Sequence, residues 1–81
     1  MQYLFMCRSL TSAQRASQVL GRSGITASVV KAPQKLRSGG CGYAVSIYRR
    51  AEECALLLRQ NQLLNGKIFR KDGEEYTEVN L

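Results

Sequence analysis

Three observations on this 81-residue chain predict an α+β fold built on an antiparallel sheet. Short apolar runs alternate with two stretches whose apolar residues recur at helical spacing, in the order strand, helix, strand, strand, helix, strand. The breakers Gly24, Pro33, Gly39, Gly40, Asn65-Gly66 and Asp72-Gly73 fall between those stretches. A chain of this size buries only about 60% of the surface its unfolded form exposes, which leaves one modest core and no separate catalytic domain.

Residues 3–7 carry large apolar side chains and predict a buried central strand. Arg8 to Ser12 interrupts them with residues suited to a helix N-cap, either Ser9 or Thr11. Over residues 12–22, Ala13, Ala16, Val19 and Leu20 share one helical face, and the alanines would let that helix lie close to a sheet. Gly21 or Gly24 supplies the stop, most simply Gly24 at the left-handed position after the last turn.

Residues 25–31, with Ile25, Ala27, Val29 and Val30, predict a second strand. A long basic loop follows, holding Pro33, Lys35, Arg37, Gly39 and Gly40, before Tyr43, Val45 and Ile47 resume strand character. Such a loop exceeds the usual hairpin connection and is the kind that carries function. From Arg49, the residues Ala51, Cys54, Ala55 and Leu58 trace a second helical stripe, in which Cys54 reads as core filler. Asn65-Gly66 ends that segment and residues 67–70 give a fourth strand. Asp72-Gly73 is a hairpin turn, with residues 75–79 returning as a short edge strand or a frayed tail.

This order fits a ferredoxin-like βαββαβ sandwich, a four-stranded antiparallel sheet with two helices on one face and an optional C-terminal edge strand. We expect a single domain over residues 1–81, with its core in 2–70 and a C-terminal arm or tail in 71–81. In that topology the first and third strands are central neighbours running oppositely. The end of one and the start of the other therefore meet at one rim, where the first helix also begins.

Charge is unevenly placed. Residues 1–71 hold all 12 Lys and Arg with only Glu52 and Glu53, while residues 72–81 hold Asp72, Glu74, Glu75 and Glu78. A positive body attracts anions, whether a small oxyanion, a nucleic-acid backbone or an acidic protein, although excess Lys and Arg also serve solubility alone. No apolar run reaches membrane-spanning length, and the opening residues 1–7 are too short for a signal peptide and lack its basic region. We therefore expect a cytoplasmic protein that does not bind a membrane. Three cysteines at irregular spacing argue against a disulfide framework. Without histidine or a CxxC pair, a closed metal site lacks ligands, and no cofactor motif is present.

The chemistry centres on Gly39-Gly40-Cys41-Gly42. Bare backbone on both sides lets a reagent approach the Cys41 sulfur closely. If the rim forms as expected, Cys41 lies near Cys7 and the first turn of the helix introduced by Ser9 and Thr11. Backbone amides there, with Gly40 and Gly42 beside them and Arg8, Lys35 and Arg37 adding positive charge, would favour a thiolate. The plainer alternatives are a turn whose thiol packs as a small hydrophobe and a loop whose cations are only solvated. Cys7 reads as a strand-end core residue, a resolving thiol for Cys41, or an incidental cysteine.

The opening Tyr3-Leu4-Phe5 with Ser9 after it, the Gly24-Ile25 step into a strand, the single Pro33, and Gly40-Cys41-Gly42 before a strand resemble a family of small bacterial domains. These are the selenium/sulfur (Se/S) carrier-like proteins. The resemblance covers about residues 2–70, with Gln34 standing where the family commonly has a basic residue. It implies that Cys41 is the carrier thiol, transiently holding a persulfide or selenopersulfide for a donor or acceptor enzyme.

Two other readings compete with it. A non-catalytic binding module would use Tyr3, Phe5, Tyr43 and Ile47 as a platform for RNA, although the basic-aromatic motif of RNA-binding sheets is missing. An accessory domain would bind a small anion or a protein, or form a homodimer through an exposed sheet face and Leu56, Leu63 and Leu64. A stand-alone enzyme fits less well, with no histidine base, no nucleotide loop and only the adjacent Glu52 and Glu53 as carboxylates outside the C-terminal arm.

Overall fold

The structure is a computed structural model that describes residues 2–36, 42–64 and 66–81, apart from the side chain of Lys35. Its elements are β1 (Gln2–Met6), α1 (Leu10–Arg22), β2 (Ser28–Lys31), a 3-10 turn (Gln34–Leu36), β3 (Tyr43–Ile47), α2 (Ala51–Gln60), β4 (Ile68–Asp72) and β5 (Glu75–Val79). The strands form one antiparallel sheet in the order β2-β3-β1-β4-β5.

The sheet has five strands rather than the four of the expected sandwich. The added strand is β5, paired to β4 from Ile68↔Val79 to Asp72↔Glu75. Gly73, at φ 65°, is the first of the two residues joining them, and a glycine there allows the tight turn that matches strand twist. Val79 and Leu81 pack against the main core, so residues 75–79 are an edge strand and not a frayed tail.

Strand alternation sorts the side chains onto two faces. Phe5, Cys7, Val45, Ile47 and Ile68 face the helices and pack with Ala13, Ala16 and Leu20 of α1 and with Ala51, Cys54, Ala55 and Leu58 of α2. The opposite face is not bare: Leu4, Ala32 and Ala44 are buried there under Met6, Val30, Leu36, Phe69 and Tyr76. Leu36 reaches this face from the 3-10 turn, so the connection between β2 and β3 is anchored on it.

Both helices end by the same device. In α1 the Gly24 N–H donates to the Gly21 carbonyl at 3.1 Å and the Ile25 N–H to Leu20 at 2.9 Å, with Gly24 at φ 79°. This is a Schellman motif, and Ile25 closes it by packing beside Leu20 in the core. That use of Ile25 explains why β2 starts at Ser28 and not at Ile25. In α2 the Gln62 N–H donates to Arg59 at 3.1 Å and Leu63 to Leu58 at 2.7 Å, with Gln62 at φ 59°. The helix therefore ends at Gln60, with Gln62 as its left-handed stop, ahead of the Asn65-Gly66 pair that the sequence suggested. Leu63 and Leu64, expected on an exposed face, turn onto the core, and Leu56 stays 54% exposed.

A left-handed backbone strains any residue with a Cβ and suits glycine. Gln62→Gly should raise unfolding free energy and Gly24→Ala lower it, each by about 1 kcal/mol. Urea denaturation of both variants beside the wild type checks the two signs.

Candidate functional site

The rim expected from the sequence forms among the described residues. The register Phe5↔Val45 and Met6↔Ala44 carries β1 past the start of β3, and the Cys7 N–H donates to the Tyr43 carbonyl at 3.1 Å. Gly42, half-buried, precedes Tyr43, and its carbonyl accepts from the Ala32 N–H beyond the end of β2. Both ends of the β2–β3 connection are therefore closed against each other, one strand away from Cys7.

Cys7 is 6% exposed and belongs to the helix-side core, with its Sγ 3.3 Å from the Phe5 carbonyl oxygen. Arg8 is exposed immediately beyond it. Ser9 caps α1 through its side-chain oxygen, which accepts from the Ser12 N–H at 3.1 Å, while its carbonyl accepts from Ala13 at 3.0 Å. Of the two cap candidates the fold uses Ser9, because its extended backbone turns the hydroxyl back over the first turn. Thr11 lies inside the helix and is exposed. The amides of Leu10 and Thr11 have no hydrogen-bond partner among the described residues, leaving donors at the positive end of the helix dipole.

Cys7 thus meets Tyr43, the residue after Gly42, while Arg8, Ser9 and Thr11 follow Cys7 along the chain into α1. Arg37, Gly40 and Cys41, and the side chain of Lys35, lie outside the described residues.

Gly66 forms the third side of this rim, a role its sequence context did not reveal. A Cβ on Gly66 would stand 2.8 Å from the Met6 carbonyl oxygen and 3.0 Å from the Met6 Cβ. The Met6 N–H donates to the Lys67 carbonyl at 3.0 Å, so this close approach fixes the chain just before Cys7. A glycine ahead of a strand was the only available signal. At the other end of the sheet two neighbouring hollows, about 530 and 320 Å³, share Tyr48, Arg49 and Arg50. Glu52 and Glu53 line the larger one, and Arg50 is paired with Glu53, so positive charge there is largely balanced.

The aromatic platform weighed for RNA faces the wrong way. Phe5 and Ile47 are fully buried beneath the helices, and Tyr3 and Tyr43 pack against the same cluster. Among the described residues no group of three or more His, Cys, Asp or Glu gathers to hold a metal, and no helix is long and apolar enough to cross a membrane.

Cys54 is sealed at 0% exposure between α2 and the sheet. Burial, then the neighbouring Glu53 charge, push its thiol up from the ordinary range. It therefore keeps its proton at neutral pH and is a poor nucleophile.

Two tests follow from this geometry. Gly66→Ala forces the backbone beside Met6 to move and should destabilise by about 1–3 kcal/mol, read as a lowered denaturation midpoint. A raised thiol pKa makes the folded state hold its proton more tightly than the unfolded chain. The stability that Cys54 supplies is thus intact below an ordinary thiol pKa of about 8.5 and lost as pH rises above it. Over that alkaline interval, unfolding free energy should fall more steeply for the wild type than for Cys54→Ala.

The family model described as "Putative Se/S carrier protein-like" matches residues 2–70 of the chain. No curated protein and no solved structure matches the chain.

Proposed function

The chain belongs to the Se/S carrier-like family, and from that premise we propose that it carries sulfur or selenium on Cys41, exchanging it with a partner enzyme in the cytoplasm. The first four strands, in spatial order 2-3-1-4, are read as a ferredoxin-like sandwich to which β5 adds an edge. The observation that carries the reading is the 3.1 Å hydrogen bond from the Cys7 N–H to the Tyr43 carbonyl. It holds the chain that leaves the glycine-flanked loop beside Cys7, two residues from the cap of α1. The amides of Leu10 and Thr11, without a partner among the described residues, and the exposed Arg8 make that neighbourhood favourable to negative charge.

The transfer needs no oxidant or reductant. The Cys41 thiolate attacks the outer sulfur of a donor protein's persulfide, and a new S–S bond forms as the donor's own S–S bond breaks. The donor cysteine leaves as its thiolate, while the persulfide proton stays on the sulfur that moves. A selenopersulfide transfers in the same way, through attack on selenium. Delivery to the acceptor repeats the exchange with Cys41 as the leaving thiolate. Cys7, at the same rim, is proposed as the resolving thiol of a loaded Cys41: its thiolate attacks the Cys41 sulfur of the persulfide, a Cys7–Cys41 disulfide forms and hydrosulfide leaves, while Cys54 takes no part because it is sealed and protonated.

Incubation of the reduced protein with a cysteine desulfurase and cysteine should add about 32 Da per transferred sulfur, on the peptide containing Cys41. Cys41→Ser should abolish the adduct, and Cys54→Ala should leave it unchanged. An adduct that persists in Cys41→Ser, or no adduct under conditions that load a known acceptor, would remove the carrier role.

A further inference from the structure

We infer that the outer face of α1 is the surface on which the loading enzyme docks, and that the enzyme meets it with an acidic patch. This inference rests on the carrier reading and specifies the partner of the same site. The charge pattern supports it first. No acidic residue precedes Glu52 in the chain, so α1 carries Arg15 and Arg22 with no acid on the same helix. Thr11, Arg15, Gln18 and Arg22 are exposed at spacings of four, three and four, which places them in one stripe. The buried residues Ala13, Ala16 and Leu20 lie on the face turned to the sheet.

Arg8, Arg15 and Arg22 join no ion pair among the described residues; those found are Arg50–Glu53 and Lys67–Glu78. The acidic residues Asp72, Glu75 and Glu78 sit in the β4–β5 hairpin at one edge of the sheet, whereas α1 packs over β3 and β2 toward the other. On α2, which packs beside α1, Glu53 is paired with Arg50, which leaves Glu52 as the one acid of that helix outside an ion pair among the described residues.

Position and chemistry supply the rest. The stripe starts at the rim that holds Cys7, Ser9 and Gly42, and Leu10, 41% exposed, adds an apolar contact there. One sulfur atom offers almost no binding area, so encounter between two proteins must be guided by surface around the thiol. Complementary charge supplies that guidance mainly through the association rate. A protein fits better than RNA on this face, because α1 carries no aromatic side chain on which a base could stack.

The test uses a cysteine desulfurase of acidic surface with cysteine, and follows the rate of the mass adduct on the full chain. Arg15→Glu/Arg22→Glu should slow loading about tenfold at low salt, and Arg15→Gln/Arg22→Gln by less. Wild-type loading should fall as ionic strength rises, and the reversed variant should lose that dependence. Alkylation by iodoacetamide should proceed equally in all three, which separates docking from thiol reactivity and from folding. Equal loading of wild type and reversed variant overturns the docking surface and leaves the carrier reading standing. Failure of the wild type to load overturns both. Unchanged loading together with loss of binding to a labelled single-stranded RNA overturns the protein partner and assigns the face to nucleic acid.

Discussion

Antiparallel hydrogen bonding between β1 and β3, in the register Phe5↔Val45 and Met6↔Ala44, sets the position of every other element. Side chains alternate along a strand, so a slip of one residue would turn Phe5 and Val45 away from the helices and bring Leu4 and Ala44 in. The same register places Cys7 against Tyr43, two residues before Ser9, the cap of α1. Burial on both faces makes that register strongly specified, since either slip exposes one cluster and misfills the other.

The surroundings of that pair are held by close approach more than by bulk. Ala13, Ala16, Ala51 and Ala55 are buried between the helices and the sheet, and their small size lets both helices lie near the strands. Gly66 brings the turn before β4 onto Met6 at a distance that a methyl group would fill. On the other face Leu36 ties down the start of the long connection while the hydrogen bond from Ala32 to Gly42 closes its base. The two described ends of the connection therefore cannot drift apart without breaking the β2–β3 ladder.

Cysteine chemistry in this protein is decided by surroundings. Cys54 sits in hydrocarbon beside a carboxylate and keeps its proton, a setting that makes a thiol inert. Cys7 is also buried, yet at the edge of the core, next to a capped helix start and an exposed arginine. The proposed carrier role requires the third thiol to meet the opposite conditions, with donors and positive charge nearby and open approach. The outer face of α1 extends that electropositive region away from the rim, where a partner protein can engage it without displacing the sheet.

Much of this was legible in the residue order. Periodicity located both helices and the central strands, Ser9 and Gly24 announced where α1 begins and ends, and Asp72-Gly73 announced the last hairpin, because caps and turns are set by neighbours in sequence. The family resemblance over residues 2–70 was also carried by local motifs and is matched by the family comparison. What the residue order left open depends on contacts between distant segments. It did not say that residues 75–79 would complete a fifth strand, that Gln62 would take the left-handed stop ahead of Asn65-Gly66, or that Gly66 would press on Met6. Nor did it say which way Tyr3, Phe5 and Tyr43 would turn. Sequence by itself determined the elements and the reactive residue types. Only the tertiary structure decided which faces are buried and which groups meet at the rim, because burial and close approach belong to pairs of segments and to neither segment alone.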